Sequence, residues 1–357
     1  MFRQQSKLKQ PTIQLMGPKM SKLKVWLKSA VATLVVMPLL ISNGFSPVQQ
    51  DQIRCEFEFP AMGVQFRVVI YVDAEVDTEQ LKQKLLDRTE YLESVLSDYR
   101  KDSEINRISR APHKLPVTVS AELHEICKRS ELFKQLTSGA FDPSVGSISR
   151  VWRFARRRNR LPSETKITEA MRSVGWQNVA LSGSKQLRLK VLDMQFDFGG
   201  IAKGFAADEL IKLLQQQSIS VALVDAGGDI RLGRAPESSK GWKVTTPKLK
   251  GISKRLSLSG VGVATSGATE QGLRIKGTQY SHIIDPRNGK PVTHDWNVTV
   301  IAPDATAADA LASAFSVLGK DESFKIANEL PEVFAMFVDA SNGEVAYSDG
   351  FEKFITP

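Results

Sequence analysis

The chain has 357 residues, of which 42% are hydrophobic, and a formal net charge of +9. This composition supports a sizeable buried core and excludes an intrinsically disordered protein. Residues 1–50 hold seven of the 48 basic residues and no acidic residue, so the remainder carries 41 basic against 39 acidic residues. The charge therefore gives no reason to expect nucleic acid as a partner.

The N-terminus has the order of a secretory signal. Basic residues up to Lys28 precede an apolar run from Ser29 to Ile41, and Ser42-Asn43-Gly44 follows. The run is shorter than the roughly 20 residues that span a bilayer, although Val25-Trp26-Leu27 would extend it. We predict that residues 1–41 are a signal peptide or a membrane anchor, that residues 42–54 are a linker, and that residues 55–357 form the folded domain.

Hydrophobic spacing then predicts a mixture of strands and helices. Two cysteines, Cys55 and Cys127, are too few for a disulfide framework and receive no role. The mixture predicts an α+β or layered α/β domain. Strands are expected at 57–72 with a tight turn at Pro60-Ala61-Met62-Gly63, and at 187–198, 219–225, 242–246, 256–264, 280–284, 296–302 and 334–339; helices are expected at 78–97, 121–137, 202–216, 306–318 and 321–328.

The segment from Arg150 to Arg160 contains six arginines. A helix would spread them over much of its surface, which is typical of a solvated basic face. Docking of an acidic partner or of lipid headgroups is the other interpretation, and the sequence leaves both open.

Three short segments suggest phosphate or metal chemistry. In the segment 196–205, a strand ends at Gly199-Gly200 and a helix begins near Ala202, so backbone N–H groups and Lys203 could face a phosphate. The sequence of this segment matches neither standard nucleotide-binding fingerprint. A role of the glycines in tight packing is equally consistent with it.

In the segment 306–313, Asp309 and Ser313 are four residues apart and share one helix face, where their oxygens could bind Mg²⁺. A capping box that starts at Thr306 is the alternative.

His282 lies three residues before Asp285 in a strand that runs into a turn. It suits a general base beside a charged ligand, or a structural hydrogen-bonding group. The segment Val224-Asp225-Ala226-Gly227-Gly228-Asp229 is likewise either a hairpin turn or a close approach to a ligand.

These segments occur together in the order seen in one family. From about Phe57 to the C-terminus the chain resembles the ApbE family of FAD:protein FMN transferases. The matching text is Ala61-Met62-Gly63, Leu96-Ser97-Asp98-Tyr99, Gly139 to Pro143, Asp197 to Gly204, Asp225 to Ile230, Ala264 to Gly267, Ser281 to Pro286 and Asp309-Ala310-Leu311.

The resemblance implies an α+β, T-fold-like domain with mixed sheets and packed helices in two intimately joined lobes. It implies an enzyme that uses Mg²⁺ and FAD, and that transfers FMN to a Thr or Ser hydroxyl of an acceptor protein, with release of AMP. His282 would be the catalytic base, and Gly200, Asp309 and Ser313 would hold Mg²⁺. The residues expected to contact FAD are Met62, Tyr99, Ala140, Phe141, Asp142, Asp197 and Lys203.

The resemblance also implies an exported or membrane-bound acceptor flavoprotein. The leader predicts an exported, periplasmic protein, with or without anchoring to the inner membrane through the N-terminus. One departure concerns Ser313, where the family commonly has threonine; serine keeps the oxygen and loses a methyl group that fixes the rotamer. The same residues would equally suit an FAD pyrophosphatase with water as the acceptor. A protein that binds flavin without catalysis is a third hypothesis.

Overall fold

The computed structural model describes residues 52–111, 114–267, 272–275, 277–294 and 296–357. These residues belong to one compact unit. The predicted leader, residues 1–41, lies outside them, as does most of the predicted linker 42–54. The first strand begins at Ile53, so the last two residues of that linker are part of a strand. Among the described residues, no helix is both long and apolar enough to cross a bilayer.

A sheet of eight strands forms the centre of the domain, and every neighbouring pair in it is antiparallel. Its spatial order is β1-β2-β6-β7-β10-β15-β16-β17. The strands are β1 (Ile53–Ala61), β2 (Val64–Val72), β6 (Ala222–Ala226), β7 (Ile230–Leu232), β10 (Gly262–Gly267), β15 (Trp296–Ala302), β16 (Phe334–Asp339) and β17 (Val345–Tyr347).

Three smaller groups of strands surround this sheet. Strands β8 (Trp242–Thr245), β9 (Arg255–Leu258) and β18 (Ile355–Thr356) form one sheet, and β3 (Val117–Thr118), β4 (Val179–Ser182) and β5 (Gln186–Leu189) form another. Two hairpins pair β11 (Leu273–Ile275) with β12 (Thr278–Tyr280), and β13 (Ile284–Asp285) with β14 (Lys290–Pro291).

Both faces of the central sheet are buried because its strands alternate apolar residues on each side. On β2, for example, Val68 and Ile70 belong to the main core beneath the helices, whereas Val69 belongs to a second core with the β8-β9-β18 sheet. On β10, Ala264 and Val263 divide in the same way. Because successive side chains along a strand point to opposite faces, one set packs under the helices and the other under the β8-β9-β18 sheet.

The described residues form eight α-helices. Ser or Asp caps most of their N-termini, as for α3, where the Ser120 side chain accepts a hydrogen bond from the N–H of Leu123. The helices are α1 (Thr78–Leu96), α2 (Glu104–Arg110), α3 (Ala121–Leu136), α4 (Gly146–Arg157), α5 (Glu164–Met171), α6 (Ala202–Gln216), α7 (Ala305–Leu318) and α8 (Lys320–Glu329).

Helices α6 and α7 pack closely against each other on the sheet, and glycine makes this possible. A Cβ on Gly204 would lie 2.2 Å from the carbonyl oxygen of Ala305 and 2.9 Å from Cβ of Asp309. Only hydrogen fits there, so the first turn of α6 lies directly against the first turns of α7.

The α+β prediction is confirmed, and most predicted elements lie within a few residues of their observed bounds. The predicted strand 187–198 is wrong beyond Leu189, because residues 190–198 do not continue the ladder. Their alternation still reflects burial, since Met194, Phe196 and Phe198 enter the core. The predicted strand 256–264 is two strands, β9 and β10, with a turn at Gly260.

Candidate functional site

A cleft of about 230 Å³ lies where several loops meet the N-terminal end of α6. Its walls come from the loop after α1, the segment before α4, α4 itself, the segment 197–200 and the loop after β12. Eight of the predicted site residues line it: Tyr99, Ala140, Phe141, Asp142, Asp197, Gly200, His282 and Ser313. Tertiary structure therefore brings together segments more than 200 residues apart in sequence.

Arg153 of α4 organises one wall of the cleft. Its guanidinium forms ion pairs with both Asp98 and Asp197, and the second pair has an N–O distance of 2.7 Å. It also lies 4.5 Å from the ring centroid of Tyr99, whose side chain is 72% exposed. The arginine thereby holds an aromatic ring at the mouth of the cleft in an orientation suited to stacking on a planar ligand.

Asp98 and Asp197 are close enough to influence each other. Burial and the negative charge of Asp197 raise the pKa of Asp98 to about 6, against the opposing effect of Arg153. The other oxygen of Asp197 accepts a hydrogen bond from the N–H of Gly199 at 2.9 Å. This bond fixes the turn that leads into α6.

Gly200 and Ser313 both line the cleft and lie against each other there. A Cβ on Gly200 would lie 2.6 Å from Oγ of Ser313, so no side chain fits between the backbone of residue 200 and this hydroxyl. The backbone before α6 and the hydroxyl of α7 therefore face the same small space.

Asp309 lies one helical turn before Ser313 on α7 and is 4% exposed. Its carboxylate accepts a hydrogen bond from the N–H of Gly204 at 3.1 Å. Burial, together with the negative charge of Asp229, raises the pKa of Asp309 to about 7, although Lys203 opposes the shift. No Lys or Arg among the described residues forms an ion pair with Asp309, so a cation bound here would stabilise its charged form.

The predicted capping box at Thr306 is wrong. Asp304 is the N-cap of α7, and its side chain accepts from the N–H of Ala307 at 2.8 Å. Thr306 donates its hydroxyl to Asp208 instead. Asp309 therefore has no part in capping α7, and its carboxylate instead bonds the Gly204 N–H in the first turn of α6.

Lys203 and Asp229 form an ion pair beside Asp309. Burial disfavours the charge of Lys203, but the carboxylates of Asp229 and Asp309 outweigh it and raise the pKa of the lysine. Asp229 lies at the end of the β6-β7 turn, where Gly227 and Gly228 have φ of +70° and +101°. The segment 224–229 thus contains a hairpin turn. Its last residue, Asp229, is also close enough for its charge to influence Asp309.

The segment 140–142 supports the cleft wall. Asp142 is buried and accepts hydrogen bonds from the N–H groups of Ser144 and Trp176, at 2.9 and 3.0 Å. Phe141 is also buried and contacts the ring of Phe133 edge-on, at 6.3 Å between centroids. The carboxylate of Asp142 therefore shapes the backbone, whereas Ala140 and Phe141 give the wall an apolar surface.

His282 is exposed and lies in a bend between β12 and β13, not within a strand. The hydroxyl of Ser281 accepts a hydrogen bond from the N–H of Ile283 at 3.1 Å and fixes this bend. The neighbouring Asp285 is bound to the side chain of Arg287 at 2.8 Å, so it belongs to the following turn.

Met62 and Lys203 do not line the cleft, and neither does the predicted metal ligand Asp309. Met62 occupies the β1-β2 turn with φ of +49°, and its N–H donates to Glu93 at 3.3 Å. The predicted contacts of Met62 and Lys203 with FAD, like the other residue roles, stay predictions.

Four residues of this region were not predicted from the sequence: Asp98, Arg153, Arg156 and Asp229. Asp98 and Asp229 lie in segments that match the family, but no role was predicted for them. The two arginines could have been found from the spacing in α4, because Ser149, Arg153 and Arg156 lie on one helix face and all three line the cleft. The interpretation of the arginines as a solvated face is wrong for Arg153, whose side chain is 16% exposed and doubly paired.

The donors near Asp309 fit a hard cation. A buried carboxylate with a raised pKa, the hydroxyl of Ser313 and the backbone of Gly200 are all oxygen ligands of the kind that Mg²⁺ prefers. Among the described residues no three His, Cys, Asp or Glu side chains gather as a metal cluster. One carboxylate plus neutral oxygens is typical of Mg²⁺ sites that share their cation with substrate phosphates.

Solved structures of ApbE proteins, among them a flavin transferase, share this architecture. The flavin transferase ApbE from Vibrio cholerae superposes with a TM-score of 0.78 and 25% identity, over 85% of this chain and 99% of that one. The ApbE protein from Thermotoga maritima gives a TM-score of 0.76 and 28% identity, over 85% of this chain and all of the other (100%). The fold and the cleft thus define a protein of the flavin transferase class.

The sequence comparisons specify the family. The ApbE family model matches residues 62–337. The FAD:protein FMN transferase of Treponema pallidum is 33% identical over 265 residues, covering 69% of this chain and 73% of the relative. The Escherichia coli K12 protein of the same name is 29% identical over 311 residues, covering 84% and 86%. The chain belongs to the ApbE family, and the predicted resemblance is confirmed.

Proposed function

We propose that this protein is an FAD:protein FMN transferase that uses Mg²⁺ to attach FMN to a Thr or Ser hydroxyl of an acceptor protein, with release of AMP. The relatives are named for FAD as the donor, FMN as the transferred group and a protein as the acceptor. The observation that carries the proposal is the buried carboxylate of Asp309, one helical turn before Ser313 on α7, where Ser313, Gly200 and His282 line one cleft.

The cleft offers separate surfaces for the parts of FAD. The ring of Tyr99 and the apolar wall at Phe141 suit the flavin, and the backbone between Gly199 and the first turn of α6 suits phosphate oxygens. Arg153 is neutralised by two carboxylates, so we assign it to positioning Tyr99 and the 197–200 turn instead of to direct phosphate binding.

In the reaction, the acceptor hydroxyl oxygen attacks the phosphorus of the FMN half of FAD. His282 accepts the hydroxyl proton, and the bond between this phosphorus and the bridging oxygen breaks. AMP leaves with that oxygen, and the acceptor keeps FMN through a phosphoester. Positioning and charge stabilisation supply most of the rate acceleration, as in other phosphoryl transfers.

Gly200, Asp309 and Ser313 would hold Mg²⁺, and Lys203 with Asp229 would set the charge around it. When bound, the cation neutralises charge that develops on the phosphates. The residues of the chain then have distinct tasks: Asp309 supplies the negative charge that the cation requires, Ser313 a neutral oxygen, and the Gly204 N–H fixes the carboxylate.

We further propose that the leader exports the protein to the periplasm, where it is soluble or anchored to the inner membrane. The acceptor would be an exported or membrane-bound flavoprotein. The order of basic, apolar and small polar residues in the first 44 positions supports this proposal.

AMP release from FAD by the purified chain, with Mg²⁺ and with or without a threonine-containing acceptor peptide, tests the function. Acceptor-dependent AMP and a peptide heavier by one FMN unit are expected. AMP that forms equally without the peptide, and no modified peptide, would identify an FAD pyrophosphatase instead. Intact FAD under all conditions would leave only flavin binding.

A further inference from the structure

A second concave surface lies on the other side of α4 and has no part in the chemistry described above. Its volume is about 490 Å³, and it is formed by α4, the chain that links α4 to α5, and the start of α5. We call it the α4 groove and define it by Arg150, Phe154, Arg158, Arg160, Leu161 and Lys166.

The groove combines a positive rim with an apolar floor. Among the described residues, none of its four cations forms an ion pair, in contrast to Arg153 on the same helix. Phe154 is 48% exposed and Leu161 is 37% exposed. The guanidinium of Arg158 lies over the Phe154 ring at 4.4 Å. The neighbouring acidic residue Glu164 points its charge to Lys290, at 3.7 Å, and does not line the groove.

Exposed aromatic rings beside arginines are typical of protein-binding surfaces. Several unpaired cations around such a floor favour a partner that carries carboxylates next to an apolar side chain, because each charge gains a counter-charge on binding. A concave surface receives a protruding segment better than it receives the flat face of a lipid bilayer.

Helix α4 connects this groove to the cleft. Ser149, Arg153 and Arg156 line the cleft, whereas Arg150, Phe154 and Arg158 recur at intervals of four and line the groove. The two surfaces are thus separated by about one helix diameter, roughly 10 Å, which three or four extended residues span. A partner bound in the groove can therefore place a nearby residue in the cleft.

We propose that the α4 groove is the docking site for an acidic segment of the acceptor protein, with an apolar side chain against Phe154 and Leu161. The proposal rests on the proposed transferase function for the identity of the partner. The acidic segment lies a few residues from the hydroxyl that receives FMN, and docking raises the local concentration of that hydroxyl at the cleft.

The first test measures binding alone. A fluorescein-labelled peptide with four Glu and two Leu is titrated with the full chain in mild detergent, beside a twin in which Lys replaces Glu. The wild type is expected to bind only the acidic peptide.

Variants of the groove test which residues are responsible. The double variant Arg158→Glu/Arg160→Glu should weaken binding at least tenfold, and Phe154→Ala severalfold. Arg157→Glu is the matched control, because Arg157 is exposed on the same helix but does not line the groove, and it should change binding less than twofold.

The second test separates the docking site from the chemistry. Both peptides are extended by four residues to a single Thr, and FMN transfer from FAD is followed by mass. We expect a lower KM for the acidic peptide, with kcat unchanged, and loss of this advantage in Arg158→Glu/Arg160→Glu. Equal KM values for the two peptides in the wild type would overturn the docking site while the transferase stands. AMP release without transfer to either peptide, together with groove-dependent binding of the acidic one, would overturn the transferase and keep the groove as a binding site for acidic peptides.

A membrane role would give a different pattern. Dihexanoylphosphatidylglycerol, used as a monomer so that the leader does not dominate, would then bind the wild type but not Arg158→Glu/Arg160→Glu. If that lipid binds and the acidic peptide does not, the groove recognises headgroups and our assignment is wrong.

Discussion

Two acidic regions lie along α7, one at its N-terminus with Asp208 of α6 and Asp304, the other at Asp309, and they differ in how their charge is compensated. At its N-terminus, Asp208 accepts hydrogen bonds from the N–H groups of Ala305 and Thr306, at 3.0 and 2.9 Å, and pairs with Arg231 at 3.2 Å. Asp304 beside it pairs with Arg129 at 2.7 Å. Further along the helix, Asp309 has the Gly204 N–H and no ion-pair partner among the described residues.

Burial raises the pKa of both carboxyls, to about 6 for Asp208 and to about 7 for Asp309. The first region uses its charge within the protein, to anchor the positive end of the α7 dipole. The second has one backbone hydrogen bond and the nearby charge of Lys203 but no ion pair among the described residues, so its charge is available to an external cation. Equal burial thus marks a structural carboxylate in one place and a candidate ligand site in the other, and the partners decide which.

The sharpest test of this difference is Asp309→Ala. We expect FMN transfer to fall more than about 1000-fold, since the carboxylate provides the only negative side chain of the proposed cation site. Stability should change by only about 1 kcal/mol, because a poorly compensated buried charge is removed together with one hydrogen bond. AMP release and urea unfolding measure the two effects. Unchanged AMP release would contradict the metal assignment.

The opposite pattern is expected for Asp208→Ala. Removing this carboxylate leaves Arg231 and two helix N–H groups without their partner, so the free energy of unfolding should fall by about 3–5 kcal/mol. Urea unfolding of the two alanine variants side by side provides the comparison. If Asp309→Ala proves the more destabilised of the two, the distinction between the regions is wrong.

His282→Ala tests the side of the cleft away from α7. A general base contributes about 10²–10⁴-fold, so kcat for FMN transfer should fall within this range. FAD binding, measured by flavin fluorescence, should change little. His124→Ala is a suitable control, because His124 lies outside the cleft and bonds the carbonyl of Ser182 at 2.7 Å. A loss of fluorescence response in His282→Ala alone would point to a binding role.

Asp98→Asn extends the comparison to a third carboxylate. The pKa of Asp98 is raised from its ordinary 3.8 to about 6, so its ionisation costs stability in the folded state. The contribution of Asp98 to the free energy of unfolding is therefore fully favourable below about pH 3.8, where its carboxyl is protonated. It is lost as the pH rises through 6 and the carboxyl ionises. The free energy of unfolding of Asp98→Asn relative to the wild type should therefore increase between pH 4 and pH 7.5, by on the order of 3 kcal/mol. Urea unfolding across this range measures it; a pH-independent difference would show that Arg153 fully compensates Asp98.

The smallest effects are expected at Ser313. Ser313→Thr keeps the oxygen and restricts its rotamer, so the Mg²⁺ concentration for half-maximal activity should fall no more than about threefold. Ser313→Ala should raise it about tenfold. Ser316→Ala is the control, because that hydroxyl bonds the carbonyl of Ala312 at 3.0 Å and lies outside the cleft. Identical Mg²⁺ dependence in all three variants would exclude Ser313 as a ligand.

Much of this protein follows from local sequence. The period-two alternation of β2 and β15, the apolar face of α1 and the glycines that end α3 and begin α6 act over a few residues, and their elements agree with prediction. The ordered motifs indicated the family and eight residues of the cleft. Prediction from local patterns was wrong after Leu189. There apolar residues alternate into the core, as in a strand, but the backbone does not pair with a neighbouring strand.

Only the tertiary structure decided which charges are used internally and which stay available. Sequence shows six arginines between 150 and 160, but packing of α4 against Asp98 and Asp197 neutralises Arg153 and leaves Arg158 and Arg160 beside an exposed phenylalanine. It likewise shows Thr306 and Asp309 at capping distance, whereas Asp208, almost 100 residues earlier, binds Thr306. The sequence by itself determined the residue types and their order. Long-range packing determined their partners, because the energy of a buried charge depends on what surrounds it in space.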